Sequence, residues 1–269
     1  MNLLDAILIT IGAAAAAAIA FGLVHHFARG PLLADSGRGR PMIQVAGTAF
    51  AVLLAFVILA GYQTYSGARN GASSEGQALL DMARTAAFYP DAQRDRLRSD
   101  LICYGRAVVS DEWPAMRRGH SSPLVDRWIA DYRALFGRID LHTTREQLAF
   151  QELLTFAATR TAGRQQRLGD DTPAIPTPLW LALIFGGCLA VALQFGMVDP
   201  RERLLVHAPM IAAVAGVVAA GLLVVYFLDH PYQPHTGGLQ PTSIHQTLIT
   251  IQNLEPGLRP GCTEAGQPV

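Results

Sequence analysis

Four apolar stretches, each long enough to cross a bilayer as a helix, limit the fold of this chain more than any other feature. They are residues 3–27, 42–66, 178–198 and 204–228. A membrane-spanning helix needs about 20 mostly apolar residues. Because backbone groups in lipid must satisfy their own hydrogen bonds, each stretch is predicted to be a helix.

The stretches divide the chain into two hairpins around one polar block. The first hairpin occupies residues 1–66 and the second residues 178–228, with a helical extramembrane domain at 67–177 between them. Residues 229–269, rich in Gly, Pro and Gln, are predicted to form a mostly irregular tail. With an even number of spans before and after it, the domain lies on the same side as both termini. The predicted fold is an all-α membrane protein.

Local signals in the polar block favour helices. Ser122 and Pro123 are typical of an N-cap and a first helical turn. Thr143 or Thr144, followed by Glu146, indicates a capping box. No stretch alternates as a strand would, so the domain is predicted to be helical throughout.

The second span has no stop signal at its polar end. Residues 62–84 contain no proline, and apolar residues soon return at helical spacing. We therefore expect this helix to continue into the polar block. Gly67 and Gly71 lower helix stability there by about 1 kcal/mol each relative to Ala, which would permit a kink.

Motifs along about residues 1–250 resemble those of the bestrophin-like domain family. They are G-T-A-F-A-V-L-L-A-F-V-I-L-A-G-Y-Q-T-Y-S-G-A, Y-G-R-A-V-V-S-D-E-W-P-A-M, R-Q-Q-R-L, P-L-W and L-D-H-P-Y. The E-W-P-A-M stretch is the most specific of them. The matching positions that we consider candidate structural or ligand-binding residues are Glu75, Tyr104, Glu112, Trp113, Pro114, Arg164, Arg167 and Pro231. The family has an aromatic and a Gly shortly after the last Pro, whereas here the next Gly after Tyr232 is Gly237.

The resemblance implies an oligomeric channel. The family is named for a layout like that of bestrophins, which are pentameric anion channels with four spans per subunit and a pore lined by the second span. It therefore implies a homo-oligomer in a lipid bilayer, with five as the bestrophin number of subunits, and inorganic anions as the permeating species. The acidic calcium-binding cluster of bestrophins is absent from this sequence.

One face of the second span carries polar and small residues. The pore-lining candidates are Gln44, Thr48, Ala51, Leu54, Ala55, Ile58, Tyr62 and, just beyond the span, Arg69. Gln44 and Thr48 would offer polar groups to an ion, and Leu54 or Ile58 would form an apolar constriction. Arg69 would attract anions. In an alternative interpretation, the small residues Gly47, Ala51 and Ala55 pack helices together.

The E-W-P-A-M stretch allows two interpretations. Pro114 is predicted to end or kink a helix at Trp113. Glu112 would then lie at a helix C-terminus, where the dipole disfavours a carboxylate. An arginine partner would offset this cost, and the candidates are Arg106, Arg117, Arg118, Arg160, Arg164 and Arg167. The stretch is either a structural corner or a contact for an ion or ligand.

Other function classes lack their signatures. The sequence contains no G-x-S-x-G, H-E-x-x-H or phosphate-binding loop, so we predict no enzymatic activity, cofactor or metal site. No basic patch indicates a nucleic-acid partner. No charge occurs at mid-depth in a span, which disfavours a proton-coupled transporter. Two functions remain: a passive anion channel, and a non-conducting scaffold or sensor whose helical domain binds a partner.

The orientation in a bacterial inner membrane depends on arginines in the two short linkers. They are Arg29, Arg38, Arg40, Arg201 and Arg203. The positive-inside rule places these linkers in the cytoplasm and the domain in the periplasm. The resemblance to bestrophins implies the opposite, a cytoplasmic domain. Cys103 and Cys262 could form a disulfide only if they are neighbours in an oxidising compartment.

Overall fold

The computed structural model describes residues 2–27, 36–169, 175–195 and 204–269. Within these ranges the chain is helical, without any β-strand, and the one backbone bridge joins Cys262 to Pro268. The predicted all-α fold is confirmed. The five linker arginines on which the orientation depends lie outside the residues whose side chains are described.

Nine α-helices follow one another along the described part of the chain. They are α1 (Leu3–Phe27), α2 (Ser36–Thr85), α3 (Asp91–Ala107), α4 (Trp113–Met116), α5 (Pro123–Phe136), α6 (Thr144–Gly169), α7 (Thr177–Phe195), α8 (Leu204–Asp229) and α9 (Thr242–Leu254). Four of them, α1, α2, α7 and α8, are long and apolar enough to cross a membrane. Helix α2 runs for 50 residues without interruption at Gly67 or Gly71, which confirms that the second span continues beyond the apolar stretch.

The chain forms two compact units. The membrane unit consists of Met1–Thr64, Pro173–His230 and Pro234–Gly238. The domain unit consists of Tyr65–Thr172, Pro231–Gln233 and Leu239–Val269. Much of the segment that we expected to be an irregular tail therefore belongs to the domain unit, and it contains α9.

In the membrane unit, two family motifs meet at Asp229. This buried carboxylate at the end of α8 accepts hydrogen bonds from the backbone N–H of Ile175, at 2.9 Å, and from the indole N–H of Trp180, at 3.1 Å. The bonds join the L-D-H-P-Y motif to the P-L-W motif at the start of α7. A carboxylate is favourable there because the N-terminus of a helix carries partial positive charge.

The domain unit has one large apolar core, around α3. Leu97, Leu101 and Ile102 on α3 are almost completely buried, and α9 packs against this helix. A Cβ on Gly105 would lie only 2.7 Å from a methyl group of Leu248 on α9. Glycine at this position therefore permits α9 to pack closely against α3.

Two predicted helix starts are confirmed. The Ser122 hydroxyl accepts hydrogen bonds from the backbone N–H groups of Leu124 and Val125, at 3.2 and 3.3 Å. Thr143 and Glu146 form a capping box, in which each backbone N–H donates to the other residue's side chain. These caps satisfy amide groups that a helix leaves unpaired at its start.

A disulfide joins Cys103 on α3 to Cys262 near the end of the chain. Trp128 on α5 donates a 2.8 Å hydrogen bond to the carbonyl of Gly266 in the same C-terminal segment. Gly266 has a φ of 75°, and a Cβ there would lie 2.5 Å from the amide nitrogen of Ala107. The C-terminal segment is thus held covalently and by close packing against the domain core.

We predict that Cys262→Ser destabilises the domain unit by about 2–4 kcal/mol, because the crosslink restricts the unfolded chain. The measurement is the unfolding of purified protein in detergent, followed by circular dichroism. The matched control is Cys188→Ser, since Cys188 is an exposed free cysteine on α7. Equal stability of the two variants would contradict the prediction.

Candidate functional site

Helices α2 and α6 touch backbone to backbone in the domain unit. A Cβ on Gly71 would lie 2.8 Å from the carbonyl oxygen of Gly163, and a Cβ on Gly163 would lie 2.7 Å from the amide nitrogen of Glu75. Only glycine fits at this crossing. Glu75 follows Gly71 by four residues, and Arg167 follows Gly163 by four residues, so both side chains extend from the crossing point.

Glu75 and Arg167 form a two-pronged ion pair at this crossing. Arg167 Nε donates to Glu75 Oε2 at 2.6 Å, and Arg167 Nη2 donates to Glu75 Oε1 at 3.0 Å. The Tyr104 hydroxyl also donates to Glu75 Oε1. All three side chains are completely buried. Paired charge-assisted hydrogen bonds of this kind are stronger than neutral ones and fix the geometry of both groups.

Glu112 extends the pair into a network. Arg167 Nη2 donates to Glu112 Oε2 at 2.6 Å, and Arg164 Nε donates to Glu112 Oε1 at 3.1 Å. Arg164 Nη1 also lies 2.8 Å from Oδ1 of Asp126, which is largely exposed. The buried guanidinium of Arg167 is therefore shared by two carboxylates that come from distant parts of the chain.

A widened helical turn positions Glu112. Residues Val108–Glu112 form a π-helical turn, and α4 follows directly with Pro114 in its first turn. Of the two effects predicted for Pro114, an end of the helix at Trp113 does not occur, because the chain stays helical to Met116. The helix is instead irregular just before the proline, at the π-helical turn. A proline ring inside a helix clashes with the carbonyl one turn earlier, and a widened turn relieves such a clash.

The remaining motif residues surround Arg167. Its guanidinium lies 5.4 Å from the ring centroid of Trp113, a cation–π contact. The indole N–H of Trp113 donates to the carbonyl of Leu239 at 3.2 Å, and the Pro231 carbonyl accepts from the N–H of Leu239 at 2.7 Å. The Tyr232 hydroxyl donates to the Arg167 carbonyl at 2.9 Å.

The candidate arginine partners of Glu112 separate into two groups. Arg164 and Arg167 contact Glu112, whereas Arg106 instead contacts Glu264 at 2.7 Å. Arg160 does not reach Glu112 and donates to the Tyr104 hydroxyl at 3.3 Å. The other candidates, Arg117 and Arg118, are exposed. The sequence signal for Arg160 is its spacing. It precedes Arg164 by four residues, so both side chains lie on the same face of α6.

Glu112 and Arg167 keep their charges at neutral pH. Burial alone would raise the pKa of Glu112, but the charge of Arg167 and the hydrogen bonds from Arg164 outweigh it and hold the pKa below its ordinary value. Burial, followed by the Glu75 charge, raises the pKa of Tyr104 well above its ordinary value, so its hydroxyl stays a donor. The pKa of Arg167 is raised because its two carboxylate partners outweigh burial. The ion pairs and hydrogen bonds therefore fix the geometry of these buried side chains.

The candidate pore residues of α2 differ in their exposure. Gln44, Thr48, Ala51, Ala55 and Tyr62 are exposed within the single chain, as is Arg69 further along the helix. Leu54 and Ile58 are instead partly buried against an apolar cluster of the membrane unit formed by Val57, Ile175, Leu183 and Val225. Leu54 and Ile58 are therefore less exposed in the single chain than the polar and small positions.

No metal site accompanies either set of residues: in the described ranges, no three His, Cys, Asp or Glu side chains are arranged to hold an ion. The fold and the site define a multi-pass, all-helical membrane protein with a helical domain outside the spans. The chain belongs to the bestrophin-like domain family, whose model matches residues 11–235.

Solved structures show the same fold. A bacterial bestrophin homologue from Klebsiella pneumoniae, phased on zinc, is 14% identical, with 98% of this chain and 99% of that chain covered and a TM-score of 0.67. A single-substitution variant of a Klebsiella pneumoniae homologue is 13% identical, with 93% and 98% covered and a TM-score of 0.67. No curated protein has a significantly similar sequence.

We predict that Glu112→Gln destabilises the domain unit by about 3–5 kcal/mol, because it leaves two buried guanidinium groups with one carboxylate fewer. Because folding lowers the pKa of Glu112, its carboxylate stabilises the folded state at pH values above its pKa in the unfolded chain. This contribution to the free energy of unfolding is lost as the pH falls through the pKa in the folded state. The measurement is denaturant unfolding at several pH values.

The control for this experiment is Arg84→Gln, which removes a 55% exposed guanidinium that lies 3.4 Å from the Asp81 carboxylate. An exposed ion pair contributes only about 0–1 kcal/mol. A Glu112→Gln protein that is as stable as the control at neutral pH would contradict the structural role of the network.

Proposed function

We propose that this protein is a subunit of a homo-oligomeric, passive anion channel in which α2 lines the pore. The observation that carries the proposal is the exposed face of α2, where polar and small residues recur from Gln44 to Tyr62 on one unbroken helix. A second copy of the chain would cover part of such a face, and a central axis would leave the rest in contact with water and ions.

The chemistry of this face suits a weakly bound anion. The Gln44 amide and the Tyr62 hydroxyl supply hydrogen-bond donors, and Ala51 and Ala55 leave space between them. The Thr48 hydroxyl already donates to the Gln44 carbonyl at 2.9 Å, so it contacts an anion only after rotating. Conduction requires binding that is weak enough to permit release.

Arg69 adds a positive charge beyond the span. It is exposed and forms no ion pair with any side chain that the structure describes. An unpaired surface charge near a pore entrance raises the local concentration of anions. Leu54 and Ile58 have a different role in this proposal: they pack α2 against the rest of the membrane unit.

The absence of charged side chains at mid-depth supports passive flow. In the described parts of the four spans, Asp, Glu and Arg occur only toward the ends of the apolar segments. Proton-coupled transporters usually carry titratable groups at such depths. A concentration gradient or membrane potential would therefore drive the anions.

The test is chloride flux into liposomes that contain the purified protein and a halide-sensitive dye. We predict that wild type conducts and that Thr48→Leu reduces flux about tenfold or more by placing an apolar side chain in the path. Ala49→Leu is the matched control, since Ala49 is exposed at the same depth but lies about 100° around the helix. Wild-type protein that passes no chloride would instead support a non-conducting scaffold.

Arg69→Gln gives a second, independent result. We predict a several-fold lower flux at low ionic strength and little change at about 1 M salt, where the Debye length falls to about 3 Å. An effect that does not depend on salt would show that Arg69 does not act by attracting anions.

We also propose that the domain unit faces the periplasm of a bacterial inner membrane. The Cys103–Cys262 disulfide supports this side, because disulfides persist in oxidising compartments and are rare in the cytosol. The arginines of the two short linkers favour the same orientation. The domain would then lie on the opposite side from the one that the resemblance to bestrophins implies.

Thiol counting tests this orientation. After rapid acid quenching of cells and denaturation, we predict that a maleimide labels one of the three cysteines, Cys188, without reductant and all three after reduction. Mass spectrometry of the purified chain gives the number of labels. Three labels without reductant would contradict a periplasmic domain.

A further inference from the structure

A groove between α5 and α6 in the domain unit is lined by arginines. Its volume is about 440 Å³, and its lining includes Arg133, Arg160, Thr161 and Arg164. Asp126 is the one acidic side chain among the lining residues, and its own side chain is 57% exposed. The groove is therefore electropositive and open to solvent on the side of Arg133 and Asp126.

Arg160 has an unusual environment for a buried cation. It is 1% exposed and forms no ion pair with any carboxylate in the described part of the chain. Its guanidinium lies 5.2 Å from the ring centroid of Tyr104 and 5.5 Å from that of Tyr132. Its Nε and the Tyr132 hydroxyl are both buried without a hydrogen-bond partner among the described residues.

Arg160 Nη1 and Nη2 donate to the hydroxyls of Tyr104 and Thr161, at 3.3 and 2.9 Å, but neither these neutral groups nor the two tyrosine rings supply a negative charge. Cation–π contacts stabilise a buried charge by less than the removal of that charge from water costs.

The neighbouring carboxylates, Glu75 and Glu112, already share Arg164 and Arg167. Three buried or nearly buried guanidinium groups thus face two buried carboxylates. The third carboxylate near them, Asp126, is largely exposed and pairs with Arg164, so within the described residues Arg160 and Arg133 keep their positive charges unpaired on the side of the groove.

We propose that this groove binds a small oxyanion or carboxylate. Arg133 and Arg164 would contact the anion directly, and Arg160 would add its charge at the floor of the groove. Arginine suits this role because its planar guanidinium matches the oxygens of such anions. The anion would compete with Asp126 for Arg164 Nη1, which is now 2.8 Å from the Asp126 carboxylate.

This site lies entirely in the domain unit and does not depend on the proposed channel activity. Its residues come from α5 and α6, and none of the α2 pore-face positions contributes to it. Chloride flux and anion binding in the groove can therefore succeed or fail separately.

The test is the binding of sodium sulfate to the purified full-length protein in detergent, measured by isothermal titration calorimetry. Ionic strength is held constant with sodium chloride, so that general screening does not change during the titration. We expect saturable binding by wild type. Sulfate that does not bind in a saturable manner would overturn the proposal.

Variants at three exposed positions on α5 test where sulfate binds. Arg133→Gln removes a direct contact and should weaken sulfate binding about tenfold. Asp126→Asn removes the competing carboxylate and should strengthen binding several-fold. Arg127→Gln is the matched control, because Arg127 is exposed on the same helix but does not line the groove, and it should change the affinity less than about twofold.

Each variant changes an exposed side chain, so unfolding midpoints without sulfate should remain close to wild type. If Arg133→Gln weakens sulfate binding only as much as Arg127→Gln does, the affinity depends on net charge alone. That result would overturn the proposed site. Weaker binding by Asp126→Asn would do the same, since the carboxylate would then support the anion site instead of competing for it.

Discussion

The geometry of the domain depends on the buried guanidinium of Arg167. It pairs with Glu75 on α2 and with Glu112 on the π-helical turn, and all three side chains are almost fully shielded from water. Charges removed from water cost several kcal/mol each, and only close pairing with further hydrogen bonds offsets that cost. Three separate elements must therefore meet in one arrangement, and small displacements of any of them would leave a charge unpaired.

The other features of the domain make this arrangement attainable. Gly71 and Gly163 allow α2 and α6 to approach until their backbones touch, which brings the first ion pair into range. The Cys103–Cys262 disulfide and α9 also hold α3 in place. Because Glu75 lies on the same unbroken helix as Gln44 and Thr48, the network anchors one end of the helix that we propose to line a pore.

Local sequence signals predicted the helices well. Apolar stretches, the Ser122 cap and the Thr143–Glu146 capping box depend on neighbouring residues, and the structure confirms them. The sequence also indicated Glu75, Glu112, Arg164 and Arg167 as a set of motif residues, although not their pairing. Pro114 does not end the helix, which was one of its two predicted effects, because the preceding turn is widened and accommodates the proline.

Helical spacing alone could not place Leu54 and Ile58. Both lie near the polar face of α2 by helical spacing, yet they pack against α7 and α8 in the apolar cluster of the same subunit.

Composition along the chain was sufficient to determine four spans, a helical domain and their order, because each depends on residues close in sequence. Only the tertiary structure decided that Arg167 pairs with Glu75 and Glu112, which are 92 and 55 residues away in the sequence. The same holds for the bond between Cys103 and Cys262, which are 159 residues apart. Distances between remote residues depend on how the helices pack, and no local pattern encodes them.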